Sequence, residues 1–414
     1  MIAATQIAPI QSVLIVGAGP AGLLLALLLA QKGIETHVVE SAKTLDNQPR
    51  ATHYGTPAVH ELARAGVLDD IQNEGLICRK FCWRKLDGEV IAGLDSTMLD
   101  GTMDQVTCLP LNHVSRILLK HLTTKTTAEI SWNHKVVDIG QSEEKAWVDV
   151  ETLEGPQRLS ADYIVGCDGA RSIIRRKLFG DGDFPGHTLE EQIVATNTYY
   201  DFDKFGYQDS NFIIHPEHWH MAARISNDGL WRVSYGEVAG LSHEEILARQ
   251  PEKFKHILPG KPGPGDYRLV NISPYRVHQR LARKMRVGRF LLAADAAHLC
   301  NPFGGLGLTG GIVDVGGLFD CLAAMYDGKA DATILEDYSR IRREKYLNMV
   351  DPMSLENIRR LHSQDPETAL EKDGFLQLCK KAEKDPELAK VMLRSANDLR
   401  YDFTKLYKEN LDSK

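Results

Sequence analysis

The stretch Ser12–Glu40, SVLIVGAGPAGLLLALLLAQKGIETHVVE, decides the fold. Val13–Val16 is short, apolar and largely β-branched, which predicts a buried strand. It runs directly into Gly17-Ala18-Gly19-Pro20-Ala21-Gly22. A helical run, Leu23–Gln31, follows and Gly33 stops it. Thr36–Glu40 then predicts a second strand that ends in a carboxylate. Strand, glycine turn, helix and terminal acid form one βαβ unit carrying a dinucleotide fingerprint in its required context. Gly17 permits the tight turn, Gly19 lets backbone approach a pyrophosphate, and Gly22 lets helix and strand pack closely. The phosphates sit on the helix N-terminus, where unpaired N–H groups and the dipole favour negative charge. Glu40 is placed to accept hydrogen bonds from an adenosine ribose. The three glycines and Pro20 argue against reading this apolar run as a membrane helix.

The 414-residue chain is long enough for two or three domains. Its 43% hydrophobic and 25% charged residues are an ordinary globular mix and exclude wholesale disorder. A formal net charge of -7, with no long block of like charges, gives no reason to expect a nucleic-acid partner. The seven cysteines have no framework spacing, which fits free thiols in a reducing compartment. Cys78 and Cys82, beside Trp83, suggest packing rather than a disulfide. The N-terminus lacks the features of a signal peptide, and no segment has the length and purity of a membrane span. These features point to a soluble, cytoplasmic protein.

Further along, Arg50 falls in a loop that returns toward the C-terminal end of the second strand, the edge where open α/β sheets bind ligands. It is either a solvated cation or a group that reaches phosphate or flavin. Thr56 and Pro57 predict a helix start, and Gly66 its end. Residues 81–109 suggest a small sheet insertion. Asn112–Leu122 reads as a helix carrying Arg116, and Ala128–Leu153 as a β-meander. Tyr163–Gly180, YIVGCDGARSIIRRKLFG, repeats the arrangement of strand, glycine turn and helix, with Asp168 either a helix cap or a ligand group. From His187 to Arg286 strand-like pieces dominate, predicting an antiparallel sheet with a helix near Ser242–Arg249. His218 and His220 lie two apart on one strand face, but no third ligand is near them in sequence, so no metal site is assigned. Gly288–Leu318, GRFLLAADAAHLCNPFGGLGLTGGIVDVGGL, holds the third strand end. There Asp295 can bind sugar-alcohol hydroxyls, Pro302 breaks the chain, and the glycine run from Gly304 lets a flat ring lie against backbone. A helix begins near Ile312, with its N-terminus toward an anionic ring. The C-terminal part is helical by pattern.

Three strand-end sites on one sheet imply a ligand longer than a mononucleotide. In the order and content of GAGPAG (Gly17–Gly22), CDGARSIIR (Cys167–Arg175) and LAADAAHLCNPFGGLGL (Leu292–Leu308), the chain resembles the single-component (class A) flavoprotein aromatic hydroxylases, the para-hydroxybenzoate hydroxylase family. It looks closest to fungal secondary-metabolite members. The resemblance implies an α/β fold: a Rossmann-like FAD-binding domain, an antiparallel-sheet substrate domain and a helical C-terminus. The implied division is 1–80, 110–186 and 287–350 for FAD, 81–109 for the insertion, 187–286 for substrate, and 351–414 for the C-terminal helices.

It further implies FAD held by Gly17, Gly19, Pro20, Ala21, Gly22, Glu40, Arg50, Arg116, Asp168, Asp295, Pro302, Gly305, Gly307 and Leu308, with Pro302 beside the reaction site. Ala294 departs from the family's usual glycine, and Leu111 stands where many members carry a flavin-contacting glutamine. The implied chemistry is flavin reduction by NAD(P)H as co-substrate, addition of O2 at flavin C4a, and hydroxyl transfer to an electron-rich aromatic or indolic small molecule. Epoxidation of an alkene, or an oxidase or dehydrogenase activity, remains the alternative. Candidate substrate and catalytic contacts are His53, Tyr54, Arg224, Tyr235 and His298, together with Pro302. No membrane or nucleic-acid partner is expected, and the protein is a monomer or homodimer.

Overall fold

The computed structural model describes residues 10–48 and 50–408. At its centre is a six-stranded sheet in the order Arg286–Val287, Phe290–Leu292, Tyr163–Gly166, Ser12–Val16, Glu35–Glu40, Ala128–Trp132. All neighbours pair in parallel except the first two. Three inner strands of the sheet, Phe290–Leu292, Tyr163–Gly166 and Ser12–Val16, are nearly all apolar and buried, as strands covered on both faces must be. The helix Pro20–Lys32 packs on it with ten consecutive buried residues, Ala21–Ala30. The stretch expected to be one meander is divided. Ala128–Trp132 is the edge strand of the parallel sheet, while Lys135–Gln141, Ala146–Thr152 and Gly155–Ala161 form a separate antiparallel three-stranded sheet.

The second large layer is an eight-stranded sheet. Its order is His298–Leu299, Arg268–Leu281, Gly186–Tyr199, Leu230–Glu237, His220–Arg224, Ser210–Ile213, Lys80–Arg84, Val90–Asp95. The last two strands fall in the small sheet insertion expected at 81–109, and they join the large sheet: Lys80–Arg84 pairs in parallel with Ser210–Ile213 and extends it. Ser210–Ile213 would otherwise be an open edge, and a strand distant in sequence closes it.

One face of this sheet packs against the helix His243–Ile257. Trp231, Val233 and Tyr235 lie there with Phe202, Ile246 and Phe254. This helix has a complete capping box, Ser242 with Glu245, and runs through Pro251 to end eight residues beyond the expected Arg249. The other face looks toward the parallel sheet. It carries Trp83, Ile193, Met221 and Val277, which pack with Phe303 and with Ile358 and Leu361 of the C-terminal helices.

The helix Leu306–Tyr326 starts six residues before the expected Ile312, because Gly305 takes a left-handed N-cap (φ 65). It is the one helix among the described residues long and apolar enough to cross a membrane, and 83% of its apolar window is buried inside the protein. Its glycines admit neighbours: a Cβ at Gly316 would lie 2.3 Å from the Glu61 carboxylate, and one at Gly317 2.6 Å from Phe403. All seven cysteines are free, Cys78 and Cys82 included.

Candidate active site

At the first strand end the three glycines differ in what surrounds them. Gly17 has φ +108, and a Cβ there would meet the Cys167 carbonyl oxygen at 2.6 Å. A Cβ at Gly22 would fall 2.0 Å from the Gly17 oxygen, so the helix seats against the turn only without a side chain. Gly19 is different. Its φ of -72 suits any residue, and a Cβ there meets nothing within 4 Å. Gly19 therefore faces open space at the helix N-terminus, with Pro20 and Ala21 forming the first turn. Glu40 is oriented by two backbone donors, Ala18 N–H at 2.8 Å and Ala42 N–H at 2.9 Å.

At the second strand end, Asp168 Oδ2 accepts the N–H groups of Ile173 (2.6 Å) and Ile174 (3.3 Å), while Ser172 is the N-cap and accepts from Arg175 N–H at 3.0 Å. The other oxygen, Asp168 Oδ1, is buried without a partner, and burial pushes this carboxyl above its ordinary pKa. At the third, Asp295 stands in a recess. Water reaches it, yet protein surrounds it, and the desolvation raises its carboxyl pKa against the pull of His298 and Arg50. An open glycine at a helix N-terminus, an orphaned carboxylate oxygen and a recessed, accessible carboxylate are what an extended dinucleotide with a ribityl chain requires, and the residues present fit FAD.

Arg50 pairs with Asp46 at 2.7 Å on the exposed loop, and its charge acts on Asp295. Arg116 is more than half exposed, lies 3.6 Å from Glu74, and among the described residues bonds to none of the other candidates. Pro302 is exposed, and Gly307 and Leu308 are half-buried in the first turn of the helix Leu306–Tyr326. The Gly305 N-cap abuts the His53 backbone, a Cβ there lying 3.6 Å from the His53 oxygen, and Gly55 N–H donates to Thr309 Oγ1 at 3.1 Å. His53 is thereby brought beside the third strand-end site. Its Nδ1 lies 2.9 Å from Thr52 Oγ1, its Nε2 is buried with no partner, and burial together with the charge of Arg232 lowers its pKa to about 4.

Two candidates are corrected. Tyr235 and Arg224 lie on the far face of the large sheet, under the helix His243–Ile257. Tyr235 packs edge-on to Phe254, and Arg224 bonds Asp203 and lies 4.9 Å over Trp231. The side-chain period of two puts their neighbours inward instead. Arg232 is the inward group. It donates to Asn197 Oδ1 at 3.0 Å and to the Arg50 backbone oxygen, and burial lowers its pKa from arginine's ordinary value. Among the described residues it has no carboxylate partner.

Tyr54 is fully buried with its hydroxyl unpartnered. His298 serves a buried cluster instead: its Nε2 donates to Asp314 Oδ2 at 2.6 Å. Sequence reasoning missed Arg232, Asn197 and Asp314. The available signal for Asp314 was an acid in the middle of an otherwise apolar glycine-rich helix.

The family described as "FAD binding domain" matches residues 11–352. The para-nitrophenol 4-monooxygenase of Pseudomonas sp. (strain WBC-3) is 39% identical over 89% of this chain and 91% of its own. The 6-hydroxy-3-succinoylpyridine 3-monooxygenase HspB of Pseudomonas putida (strain DSM 28022 / S16) is 36% identical over 86% and 90%. The crystal structure of p-nitrophenol 4-monooxygenase PnpA from Pseudomonas putida DLL-E4 superposes with a TM-score of 0.88 at 38% identity, covering 94% of this chain and 98% of that one. These relatives are bacterial, so the expected fungal affinity finds no support in them. With the dinucleotide cradle in place and two relatives above 30% identity over most of their length, the chain belongs to the FAD binding domain family of class A flavin aromatic hydroxylases and is an FAD-dependent monooxygenase.

Proposed function

We propose that the enzyme hydroxylates a small monocyclic phenol, taken in its phenolate form. The observation that carries this reading is the pair formed by Arg232, a half-buried cation with no carboxylate partner among the described residues, and His53, a neutral ring with a free Nε2. A partly desolvated cation is stabilised by an anion that enters beside it, and an oxyanion that reaches both groups would satisfy Arg232 and His53 Nε2 together. His53 does not remove the phenolic proton. A ring nitrogen held near pKa 4 is a weak base at neutral pH, so the positive charge of Arg232 does the work by favouring a substrate already ionised. Phenolate is also the electron-rich form that hydroxylation of a ring carbon requires.

Bound FAD supplies the redox chemistry, taking hydride from NAD(P)H and activating O2. The chain's part is to hold the ring oxygen, orient the ring and exclude water behind the inward face of the large sheet. The names of both curated relatives, a nitrophenol and a hydroxypyridine monooxygenase, agree with a hydroxyl-bearing six-membered aromatic substrate. A basic depression of about 350 Å³, with Arg171, Arg175, Arg176 and Arg280 in its wall, supports docking of the NAD(P)H phosphates beside the second strand end.

The test is substrate-stimulated NAD(P)H oxidation with product analysis. Panels of para-substituted phenols and hydroxypyridines are compared with their O-methyl ethers. Phenols should stimulate oxidation and yield hydroxylated products while the ethers remain inert. Equal stimulation by the ethers overturns the reading.

A further inference from the structure

The turn that presents Asp295 is built from an unfavourable conformation. Ala294 has φ +55, in the left-handed region that L-residues other than glycine avoid. Two features of the helix Leu306–Tyr326 accommodate it. Gly311 leaves room for the alanine methyl, since a Cβ at Gly311 would lie 2.7 Å from Ala294 Cβ. Asp314, three residues on and fully buried, accepts the Ala294 N–H on Oδ2 at 3.1 Å.

Asp314 is itself held from two sides. His298 Nε2 donates to the same Oδ2 at 2.6 Å, and Arg342 Nε donates to Oδ1 at 2.7 Å. Arg342 in turn donates to the Leu399 carbonyl at 2.6 Å, which ties the cluster to the C-terminal segment. Burial opposes ionisation of Asp314, but His298 and Arg342 outweigh it and hold the carboxyl below its ordinary range. The group is therefore a fixed anion that can only accept hydrogen bonds.

We propose that Asp314 is a positioning residue for the cofactor: it clamps the left-handed Ala294 turn and so aims the Asp295 carboxylate at the ribityl chain of FAD. A merely structural acid would stabilise the fold to the same degree whichever residue occupied position 294. A clamp becomes dispensable once position 294 is a residue that adopts positive φ freely, and glycine is that residue.

The experiment measures FAD dissociation constants by flavin-fluorescence titration of apoprotein, with apoprotein melting temperature alongside. The variants are D314N and H298Q, each alone and combined with A294G. D314N should weaken FAD binding about tenfold through loss of a charge-assisted bond. A294G alone should leave affinity within about twofold, because glycine occupies the left-handed region without penalty. A294G combined with D314N should restore most of the lost affinity while the lowered melting temperature persists. H298Q should give a smaller loss with the same rescue, and it carries the comparison if D314N does not fold, since the Asp314–Arg342 pair stays intact. An equal loss of affinity in the alanine and glycine backgrounds overturns the proposal, as does unchanged affinity in both single variants.

Discussion

Replacing Arg232 by Met keeps the length of the stem and removes the charge from the inward face of the large sheet. The guanidinium now donates to Asn197 Oδ1 and to the Arg50 carbonyl and has no carboxylate of its own. Burial already lowers its pKa, so the protein carries a desolvation penalty that no carboxylate among the described residues offsets. A phenolate placed there gains a hydrogen bond to a charged donor, worth about 1.5–3 kcal/mol. At about 1.4 kcal/mol per factor of ten, the R232M enzyme should bind phenolates roughly 10- to 100-fold more weakly. A neutral ligand of the same shape makes no such bond. The assay is titration of oxidised holoenzyme with 4-nitrophenol and with 4-nitroanisole, read from the flavin absorbance. The phenol should lose affinity by that factor and the ether should not. If both weaken equally, Arg232 shapes the chamber without recognising charge, and the phenolate reading fails.

The glycine pair separates ligand from fold. G19A, with nothing within 4 Å of the new Cβ, should keep the apoprotein melting temperature within a degree or two and weaken FAD binding at least tenfold; G22A, at 2.0 Å from a backbone oxygen, should fail to fold as a soluble protein. Should the two behave alike, the cradle is wrongly placed. Y235F removes a buried hydroxyl that has no partner on the far face, so turnover should be unchanged and stability equal or higher. A selective loss of hydroxylation would return Tyr235 to the site. His220 is fully buried, and burial lowers its pKa to about 4, so the unfolded chain, with the ordinary value near 6.5, binds the proton first. Stability from this group is complete above about pH 6.5 and falls as pH drops toward 4, by about 2 kcal/mol at pH 5. Denaturant melts of H220Q should show a correspondingly shallower acid slope; an identical slope removes His220 from the account.

The nucleotide half was readable because its glycines are steric necessities. Gly17 and Gly22 admit no substitute, and a requirement of that kind is written in residue identity. The inward face of the large sheet was not readable. Trp231, Arg232, Val233, Ser234 and Tyr235 alternate, but both sheet faces are covered, and alternation tells which residues share a face without saying which face meets the ligand. Arg224 and Tyr235, expected to face the chamber, lie on the other side of the sheet. Lys80–Arg84 joins the large sheet beside Ser210–Ile213, far along the chain, a pairing no local pattern encodes. The start of the helix at Leu306 was hidden by Gly304 and Gly305, which read as loop although one of them is the cap.

The eight-stranded sheet begins and ends with strands borrowed from outside the segment that forms its middle. His298–Leu299 begins three residues after Asp295, and Lys80–Arg84 with Val90–Asp95 lies between two helices whose apolar residues belong to the core of the parallel sheet. The catalytic lobe and the cofactor lobe are thus stitched along both hems. Expressing either lobe alone would leave the large sheet without strands that lie outside its middle segment. The two lobes should therefore melt in a single transition.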